Sequence, residues 1–277
     1  MAFHDSLGDR MKGYEAVSKT ALMKRTPVCL RLDGKAFHTF ARGFQKPFDT
    51  ILANSMQATM IALCESIQGA VLGYTQSDEI TLILEDYHDV NICPWFDNEV
   101  QKMCSVAASI ATLEFNKAFN CFAYEWEHRL DVISKINAKD EATIKLRDTY
   151  RRASEKGAMF DCRAFNVPVN DCANVIIWRQ KDAERNSVQM VGQANFSHKQ
   201  LQGKTCDQIQ EMLFSEKGIN WNNTPTKFKR GSCAIKKPVE IKPGVTRNKW
   251  VIDNEIPIFT QDRAYIERLI VFDPKEQ

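Results

Sequence analysis

Residues 70–84 read AVLGYTQSDEITLIL, two apolar runs rich in β-branched residues on either side of a polar stretch. Such runs are typical of strands that pair antiparallel through a tight turn. Ser and Asp are common in these turns because their side chains hydrogen-bond to nearby backbone groups. The polar stretch, with Ser77, Asp78 and Glu79, could instead present carboxylates at a strand tip for binding a metal ion. The hairpin taken alone leaves both interpretations open.

A second carboxylate lies at the end of an earlier predicted strand. Residues 27–34, PVCLRLDG, form a short apolar run that stops at an Asp-Gly pair. Residues 48–68 carry apolar side chains at helical spacing, and the predicted helix is long enough to run back over the sheet. Asp33 and Asp78 could therefore meet at one edge of two neighbouring strands. Each could also simply start a turn, and spacing alone does not exclude this alternative.

The pair of aspartates favours a magnesium site. Two carboxylates close together repel each other unless a cation lies between them. Mg²⁺ accepts carboxylate, phosphate and water oxygens, and a pair of such ions can activate an attacking oxygen and stabilise a leaving one. Gly34 could add its backbone carbonyl, because no side chain blocks the approach, and Glu79 is adjacent to Asp78.

The remaining elements predict an α+β fold. Helices are predicted at 99–119, 174–196 and 204–218, and strands at 160–168 and 227–237, before a final strand and short helix. We therefore expect a mainly antiparallel sheet with helices on one face, plus helical and C-terminal additions. The expected division is a catalytic core at 1–124, a charged helical insertion at 125–157, and at 158–277 the rest of the catalytic domain with a part that contacts RNA or other subunits.

Composition and charge limit which binding functions, metal sites and cellular locations the sequence predicts. The chain has 277 residues, 44% of them hydrophobic, and a net charge of +2, so nucleic-acid binding requires local clusters of Lys and Arg. Its nine cysteines include no CxxC pair, which predicts reduced thiols and argues against structural zinc. No window reaches the ~18 apolar residues of a membrane span, and the first residues lack the apolar core of a signal peptide. We therefore expect a cytoplasmic protein.

Two blocks, RLDGKAFHTF (31–40) and YTQSDE (74–79), resemble those of the tRNA-His guanylyltransferase family, and more closely its Thg-like branch of 3′-to-5′ polymerases. The resemblance covers most of the chain. Further blocks occur in family order: LGDRMKGYE (7–15), FQKPFD (44–49), FDCRAF (160–165), IIWRQKDAERNS (176–187), SEKGINWNNTP (215–225) and FKRG (228–231).

The resemblance implies both a fold and an activity. The fold is a palm-like domain similar to that of polymerases and nucleotide cyclases. The activity is template-dependent addition of nucleotides to the 5′ end of tRNA, for 5′-end repair, for G addition to tRNA-His, or for both. ATP first activates a 5′-monophosphate end, and the 3′-hydroxyl of an incoming nucleotide such as GTP then attacks it. Family members act as homotetramers, so we expect a homotetramer.

The family pattern also implies roles for particular residues. Two Mg²⁺ ions would be held by Asp33, Asp78 and the Gly34 carbonyl, with Glu79 beside them. The loop around the triphosphate and base would comprise Gly34, Lys35, Ala36, Phe37 and His38. The positions for nucleotide activation or phosphate contact would be Lys46, Asp49, Ser77, Lys102 and Asn186.

RNA contacts are predicted from basic residues near aromatic ones. Positive charge beside stacking groups suits RNA ends, although a basic edge strand that prevents aggregation has the same composition. The candidate RNA contacts are Arg31, Lys229, Arg230 and Lys236.

The segment ERNSVQMV (184–191) stands where eukaryotic members of the family have HINNLYNT. Only Asn186 is plainly retained, and this difference favours templated repair.

Two other functions use the same acidic residues. A palm-fold nucleotide cyclase or phosphotransferase needs both aspartates but no RNA surface, and the WRQKDA and INWNN blocks argue against it. A non-catalytic RNA- or NTP-binding relative is the other alternative, and the intact Asp33, Asp78 and Glu79 argue against that.

Overall fold

A six-stranded antiparallel sheet organises the protein, and its strand order is β4-β1-β3-β2-β5-β6. The computed structural model describes residues 6–134, 140–242 and 244–270. The strands are β1 (Val28–Gly34), β2 (Ala70–Gln76), β3 (Glu79–Leu84), β4 (Phe160–Asn166), β5 (Ser232–Lys242) and β6 (Val245–Asp253). Since all neighbouring strands pair antiparallel, the predicted α+β class is confirmed.

Helices connect the strands. They are α1 (Ser6–Ala16), α2 (Phe37–Phe40), α3 (Thr50–Ser66), α4 (Val100–Ser134), α5 (Glu141–Lys156), α6 (Val169–Asn195), α7 (His198–Leu201), α8 (Cys206–Lys217), α9 (Thr226–Lys229) and α10 (Ala264–Ile270). Within the described ranges, no helix is both long and apolar enough to cross a membrane. The predicted strand at 227–237 begins only at Ser232, because Thr226–Lys229 forms α9 instead.

Helices cover both faces of the sheet rather than the one face expected from the sequence. Leu30 and Leu82 point into a core shared with α3 and α4. Cys29 and Ile83 point the opposite way, into a core shared with α6 and α10. The central strand β3 is buried at every position after Glu79. Burial at every successive position, with apolar side chains everywhere except Thr81, is typical of a strand covered on both sides.

An aromatic cluster fixes the loop that follows β1. The ring of Phe37 lies 5.4 Å from that of Phe115 and 5.2 Å from that of Phe160, measured between centroids. A Cβ atom at Gly34 would lie 2.2 Å from the Phe37 ring. Glycine is therefore the residue that lets the chain turn from β1 into α2 while Phe37 fills the core.

The charged segment 125–157 is helical where it is described, but it is not merely a solvated excursion. Its second helix, α5, inserts Tyr150 into the core with 2% exposure. The Tyr150 hydroxyl donates a 2.6 Å hydrogen bond to Asp49, and Asp49 also caps the N-terminus of α3 by accepting from the Leu52 N–H at 2.9 Å. Part of α5 therefore supports the start of α3.

Tyr150→Phe should lower the free energy of unfolding by about 2 kcal/mol, because it removes a buried donor to a carboxylate. Urea denaturation followed by circular dichroism measures the change. Tyr124→Phe is the matched control, since Tyr124 lies on the neighbouring helix and is 68% exposed. Equal stability of the two variants would show that the Tyr150–Asp49 bond does not hold α5 in place.

Candidate active site

Three acidic residues meet at one edge of the sheet. Asp33 on β1 stands directly opposite Glu79 on β3. Asp78 lies in the turn between β2 and β3, and its carbonyl accepts a 3.0 Å hydrogen bond from the Gly34 N–H. The preceding turn residue, Ser77, has a φ of +56°, a conformation that tight hairpins require and that few side chains adopt. The hairpin and the carboxylate edge are therefore both present.

Electrostatics at this edge disfavour two ionised aspartates. Burial raises the pKa of Asp78, and the nearby charge of Asp33 raises it further, although a 3.0 Å hydrogen bond from the Ser77 hydroxyl partly opposes the shift. Burial also raises the pKa of Glu79, with Arg179 countering the effect and Asp33 adding to it. A cation between the carboxylates would relieve this repulsion.

The donor set at this edge fits Mg²⁺. Among the described residues, no three His, Cys, Asp or Glu side chains are arranged to hold a metal ion. A metal here would therefore depend on Asp33, Asp78, a backbone carbonyl and oxygens from a bound nucleotide. An all-oxygen set of few carboxylates plus phosphate is the arrangement Mg²⁺ prefers, whereas structural zinc takes Cys and His.

Arg179 on α6 completes the edge, and the sequence analysis did not single it out. It is 5% exposed, and its Nη2 lies 2.5 Å from Glu79 and 2.7 Å from Asp182. Its guanidinium carbon lies 4.4 Å from the centre of the Trp178 ring. The sequence did contain a signal for Arg179: it follows the apolar Ile176 by three residues, which places it on the buried face of the predicted helix.

The loop after β1 presents backbone donors beside the carboxylates. Ala36 has φ 54° and ψ 40°, and the Lys35 N–H donates to the Met159 carbonyl at 2.8 Å. In the part of the chain that the structure describes, the N–H groups of Ala36, Phe37 and His38 have no acceptor. Successive unpaired N–H groups form a concavity that suits an anion.

The side chains of this loop differ in exposure. The Phe37 ring is buried in the core, so only its backbone can contact a nucleotide. His38 and Lys35 are exposed, and the His38 Nε2 lies 3.0 Å from the Thr39 hydroxyl. His38 is therefore available to a ligand.

Two further predicted nucleotide contacts, Ser77 and Asp49, lie near the carboxylate edge, and Lys46 lies in the loop that leads to Asp49. Ser77 is exposed in the turn itself, and Lys46 is exposed in the loop before α3. Asp49 is 7% exposed, and its carboxylate accepts from the backbone N–H groups of Leu52 and Gln45 as well as from Tyr150. Its internal hydrogen bonds make Asp49 a structural cap.

Lys102 and Asn186 lie farther from the edge. Lys102 is in the first turn of α4 and pairs with Glu99 at 3.5 Å. This helix reaches the carboxylate end of the sheet near Asn116, about 20 Å farther along its axis. Asn186 is exposed on α6, about 10 Å along the helix from Arg179 and on the same side. Within one chain, Lys102 therefore lies away from the other residues that were predicted to contact the nucleotide.

The four residues that were predicted to contact RNA differ in exposure and in their existing hydrogen bonds. Lys229 is 8% exposed and donates to the Asn222 carbonyl at 2.5 Å, and burial lowers its pKa, so it acts inside the fold. The buried Nε atoms of Arg31 and Arg230 lack hydrogen-bond partners among the described residues. Lys236 is exposed, with its Nζ 5.0 Å from the centre of the Trp250 ring.

A small, open cavity of about 60 Å³ adjoins the hairpin turn. Its lining includes Ser77, Asp49 and Lys227, together with the aromatic pair Phe48 and Phe228. The two aromatic rings are stacked with centroids 4.8 Å apart and planes 6° from parallel. The cavity is therefore partly apolar and opens beside the carboxylate edge.

Two family models match the chain in succession, tRNAHis guanylyltransferase over residues 8–168 and the Thg1 C terminal domain over residues 160–264. The chain belongs to the tRNAHis guanylyltransferase family. Membership in this family makes the protein a nucleotidyltransferase, and it agrees with the palm-like α+β fold described above.

Three proteins are similar to nearly the whole chain. A bacterial tRNA(His) guanylyltransferase (Thg1)-like protein solved in complex with ATP is 39% identical, with a TM-score of 0.78 over 97% of this chain and 100% of the other. A bacterial structure in complex with GTP is 37% identical, with a TM-score of 0.76 and the same coverage. Uncharacterized protein R259 of Acanthamoeba polyphaga mimivirus is 29% identical over 97% of this chain and 89% of its own length.

Arg179→Met should lower the free energy of unfolding of this guanylyltransferase family member by about 3 kcal/mol, because it leaves Glu79 and Asp182 without their buried partner. Chemical denaturation measures the loss. Arg185→Met is the matched control: Arg185 is on the same helix and pairs with the same Asp182, but its side chain is 65% exposed, so the change should cost under ~1 kcal/mol. Similar losses for both variants would contradict a buried structural role for Arg179.

Asp78→Asn should raise the melting temperature at neutral pH. The folded-state pKa of Asp78 is raised above that of the unfolded chain, so the carboxyl costs folding free energy wherever it is ionised in the unfolded chain, and the cost is full above the folded-state pKa. The gain should shrink as the pH falls from the folded-state pKa towards the unfolded one and vanish below it, where the carboxyl is neutral in both states. Melting curves across acid and neutral pH test this, with Asp148→Asn on the exposed side of α5 as control. A lower melting temperature at neutral pH would show that Asp33 and burial do not strain Asp78.

Proposed function

We propose that this nucleotidyltransferase adds nucleotides to the 5′ end of tRNA in the 3′-to-5′ direction, directed by a template, after NTP activation of a 5′-monophosphate end. The observation that carries the proposal is the meeting of Asp33 and Asp78 at one sheet edge beside three unpaired backbone N–H groups. The ATP and GTP complexes of the bacterial relatives support nucleoside triphosphates as substrates.

Asp33, Asp78 and the Gly34 carbonyl would hold Mg²⁺. When bound, the metal neutralises triphosphate charge and lowers the pKa of a coordinated hydroxyl. The N–H groups of Ala36, Phe37 and His38 would bind phosphate oxygens, with Lys35 and Lys46 adding charge. Arg179 holds Glu79 in place behind the metal ligands.

The cavity beside Ser77 would take the base of the nucleotide. It opens next to the turn that carries Asp78, and Phe48 and Phe228 give it an apolar wall. Apolar pockets with a few polar groups are usual for nucleotide-sized ligands. His38, exposed at the loop, would orient the nucleotide rather than act as the obligatory base.

The proposed reaction has two phosphoryl transfers and needs no covalent enzyme intermediate. The 5′-monophosphate of the RNA attacks the α-phosphorus of ATP, which releases pyrophosphate and leaves an adenylylated end. The 3′-hydroxyl of the incoming NTP then attacks the RNA 5′-phosphorus, which releases AMP as the new P–O bond forms and the hydroxyl proton passes to solvent. Such transfers depend mainly on positioning and charge neutralisation.

The activity that we propose comprises 5′-end repair of truncated tRNA, G addition to tRNA-His, or both. The segment ERNSVQMV at 184–191 on α6 differs from the eukaryotic block, and this difference favours templated repair. Cytoplasmic location and a homotetrameric assembly remain predictions. The family match across both halves of the chain gives the cyclase alternative no support.

Asp33→Asn and Asp78→Asn should each lower nucleotide addition by roughly 10³-fold, because each replaces a charged ligand of the proposed Mg²⁺ with a neutral amide and so weakens the stabilisation of charge on the transferring phosphoryl group. The substrates are a 5′-truncated tRNA and a full-length tRNA-His that lacks its extra 5′ G, each with Mg²⁺, ATP and labelled NTPs. Product length on a denaturing gel measures addition. Asp148→Asn, an exposed carboxylate far from the edge in sequence, is the matched control.

The outcomes separate the alternatives. Templated extension of the truncated RNA by the wild type supports reverse polymerisation and repair. G addition to tRNA-His alone would restrict the activity to the specialised reaction. Full activity in either Asp variant would remove the metal-ligand assignment, and NTP consumption without RNA extension would favour the cyclase-like alternative.

A further inference from the structure

A small cavity lies at the end of the sheet opposite the carboxylate edge. The start of β1 pairs there with the end of β3, Val28 opposite Leu84, about 17 Å along the strand from Asp33. The cavity has a volume of about 10 Å³, which is room for one water-sized species. Its polar lining residues are Thr26, Gln68, Glu85, Asp86 and Asn98. Among the described residues around it there is no Lys or Arg.

Asp86 brings an uncompensated carboxylate to this cavity. It is 4% exposed, and its Oδ2 accepts a 3.0 Å hydrogen bond from the Arg25 N–H. Its Oδ1 is buried and has no hydrogen-bond partner among the described residues. The Arg25 guanidinium does not pair with the carboxylate, since its Nη1 donates to the backbone carbonyls of Asp86 and Asp89 at 2.6 and 2.9 Å. A buried charge of this kind costs free energy unless it is paired or binds a metal ion.

The neighbouring amide side chains also turn oxygens towards the cavity. The Asn98 Nδ2 donates to the Met23 carbonyl at 3.2 Å, and the Gln68 Nε2 donates to the Cys93 carbonyl at 2.8 Å. Neither carbonyl belongs to a lining residue, so each amide is left with its oxygen for the cavity. A cation attracts every oxygen around it, whereas a water molecule has only two hydrogens to donate.

Glu85 adds a second buried carboxylate next to Asp86. It is 4% exposed, and its Oε2 accepts from the backbone N–H groups of Tyr87 and His88 at 3.0 and 3.2 Å. Its Oε1 contacts the His88 Nδ1. Glu85 is therefore held in place by its own partners, and its charge adds to the repulsion that a cation at Asp86 would relieve.

The turn that brings Asn98 to the cavity has an unusual backbone. Phe96, Asp97 and Asn98 all have positive φ, at 49°, 55° and 60°, a conformation that L-residues other than glycine rarely adopt in succession. The Asn98 carbonyl accepts a 3.0 Å hydrogen bond from the Leu22 N–H. A ligand that bound the Asn98 side chain would therefore help to hold this turn against the segment before β1.

We propose that this cavity binds one Ca²⁺ ion. Its ligands are the Oδ1 of Asp86 and the amide oxygens of Gln68 and Asn98, with the Thr26 hydroxyl nearby. Ca²⁺ accepts carboxylate, amide and water oxygens in flexible geometry, whereas Mg²⁺ demands an octahedron and keeps several waters, for which this cavity is too small. The site goes beyond the proposed function, since it lies at the far end of the sheet from the catalytic metal ligands.

The test is terbium luminescence of the full chain, because Tb³⁺ takes oxygen ligands as Ca²⁺ does and emits when an excited tryptophan beside it transfers energy. Trp95 lines the cavity. The background Asp33→Asn/Asp78→Asn removes the proposed catalytic metal site. In this background Tb³⁺ should give a tryptophan-sensitised emission that Ca²⁺ displaces at concentrations at least ~10-fold lower than Mg²⁺ does. Adding Asp86→Asn should abolish the emission.

Thermal unfolding in the same background gives a second readout. Ca²⁺ at about 100 times its dissociation constant should raise the melting temperature by roughly 5 °C, and Asp86→Asn should remove the rise. Asp89→Asn is the matched control, since it makes the same change at an exposed position of the same loop, and it should keep both responses. Trp95→Phe should lose the emission but keep the rise, which would place the ion beside that ring.

Several results would overturn the proposal. They are emission that survives Asp86→Asn, equal losses in Asp89→Asn, no rise with Ca²⁺, and an equal rise with NaCl at the same ionic strength. Each would leave the cavity to water. Asn keeps an oxygen for the Arg25 N–H, so we expect Asp86→Asn to fold, as circular dichroism will show. If it does not, the competition between Ca²⁺ and Mg²⁺ and the Trp95→Phe variant still decide.

Discussion

The antiparallel register between β1 and β3 is the constraint on which the active site depends. It sets Asp33 opposite Glu79, and the Gly34 N–H to Asp78 carbonyl hydrogen bond joins the end of β1 to the hairpin turn. A slip of one residue would turn Asp33 to the opposite face, into the core shared with α3 and α4. The same register concentrates negative charge at a half-buried edge, where burial and mutual repulsion raise the pKa values of Asp78 and Glu79.

The two helical layers stabilise this edge by different means. On one side, Phe37 and its aromatic neighbours anchor the loop whose N–H groups face outward, and Gly34 leaves room for that packing. On the other side, α6 brings Arg179 to Glu79, an ion pair that is buried against Trp178. The aromatic packing is apolar and insensitive to charge, whereas the Arg179 pair exists only because acidic residues meet there.

The net charge of the chain is small, but its acidic and basic residues are clustered in different places. The chain has a net charge of only +2, yet acidic residues cluster at Asp33, Asp78 and Glu79 and basic residues cluster on β5 and β6. α5 supports the start of α3 through Tyr150, so a segment that is charge-rich in sequence also positions Asp49, which lines the cavity beside the hairpin turn.

The sequence by itself determined the hairpin, the long helices, the α+β class and the family, because periodicity and turn chemistry are local and the motif blocks are specific. It left open whether Asp33 and Asp78 meet, which the register of β1 and β3 decided. Only the tertiary structure decided the second helical layer, the burial of Phe37 and Lys229, the capping role of Asp49, the distance of Lys102 and the partner of Arg179. These depend on contacts between residues far apart in the chain. Strand pairing likewise decided that Lys237 of β5 stands opposite Lys249 of β6, since the same basic residues in sequence leave the register open.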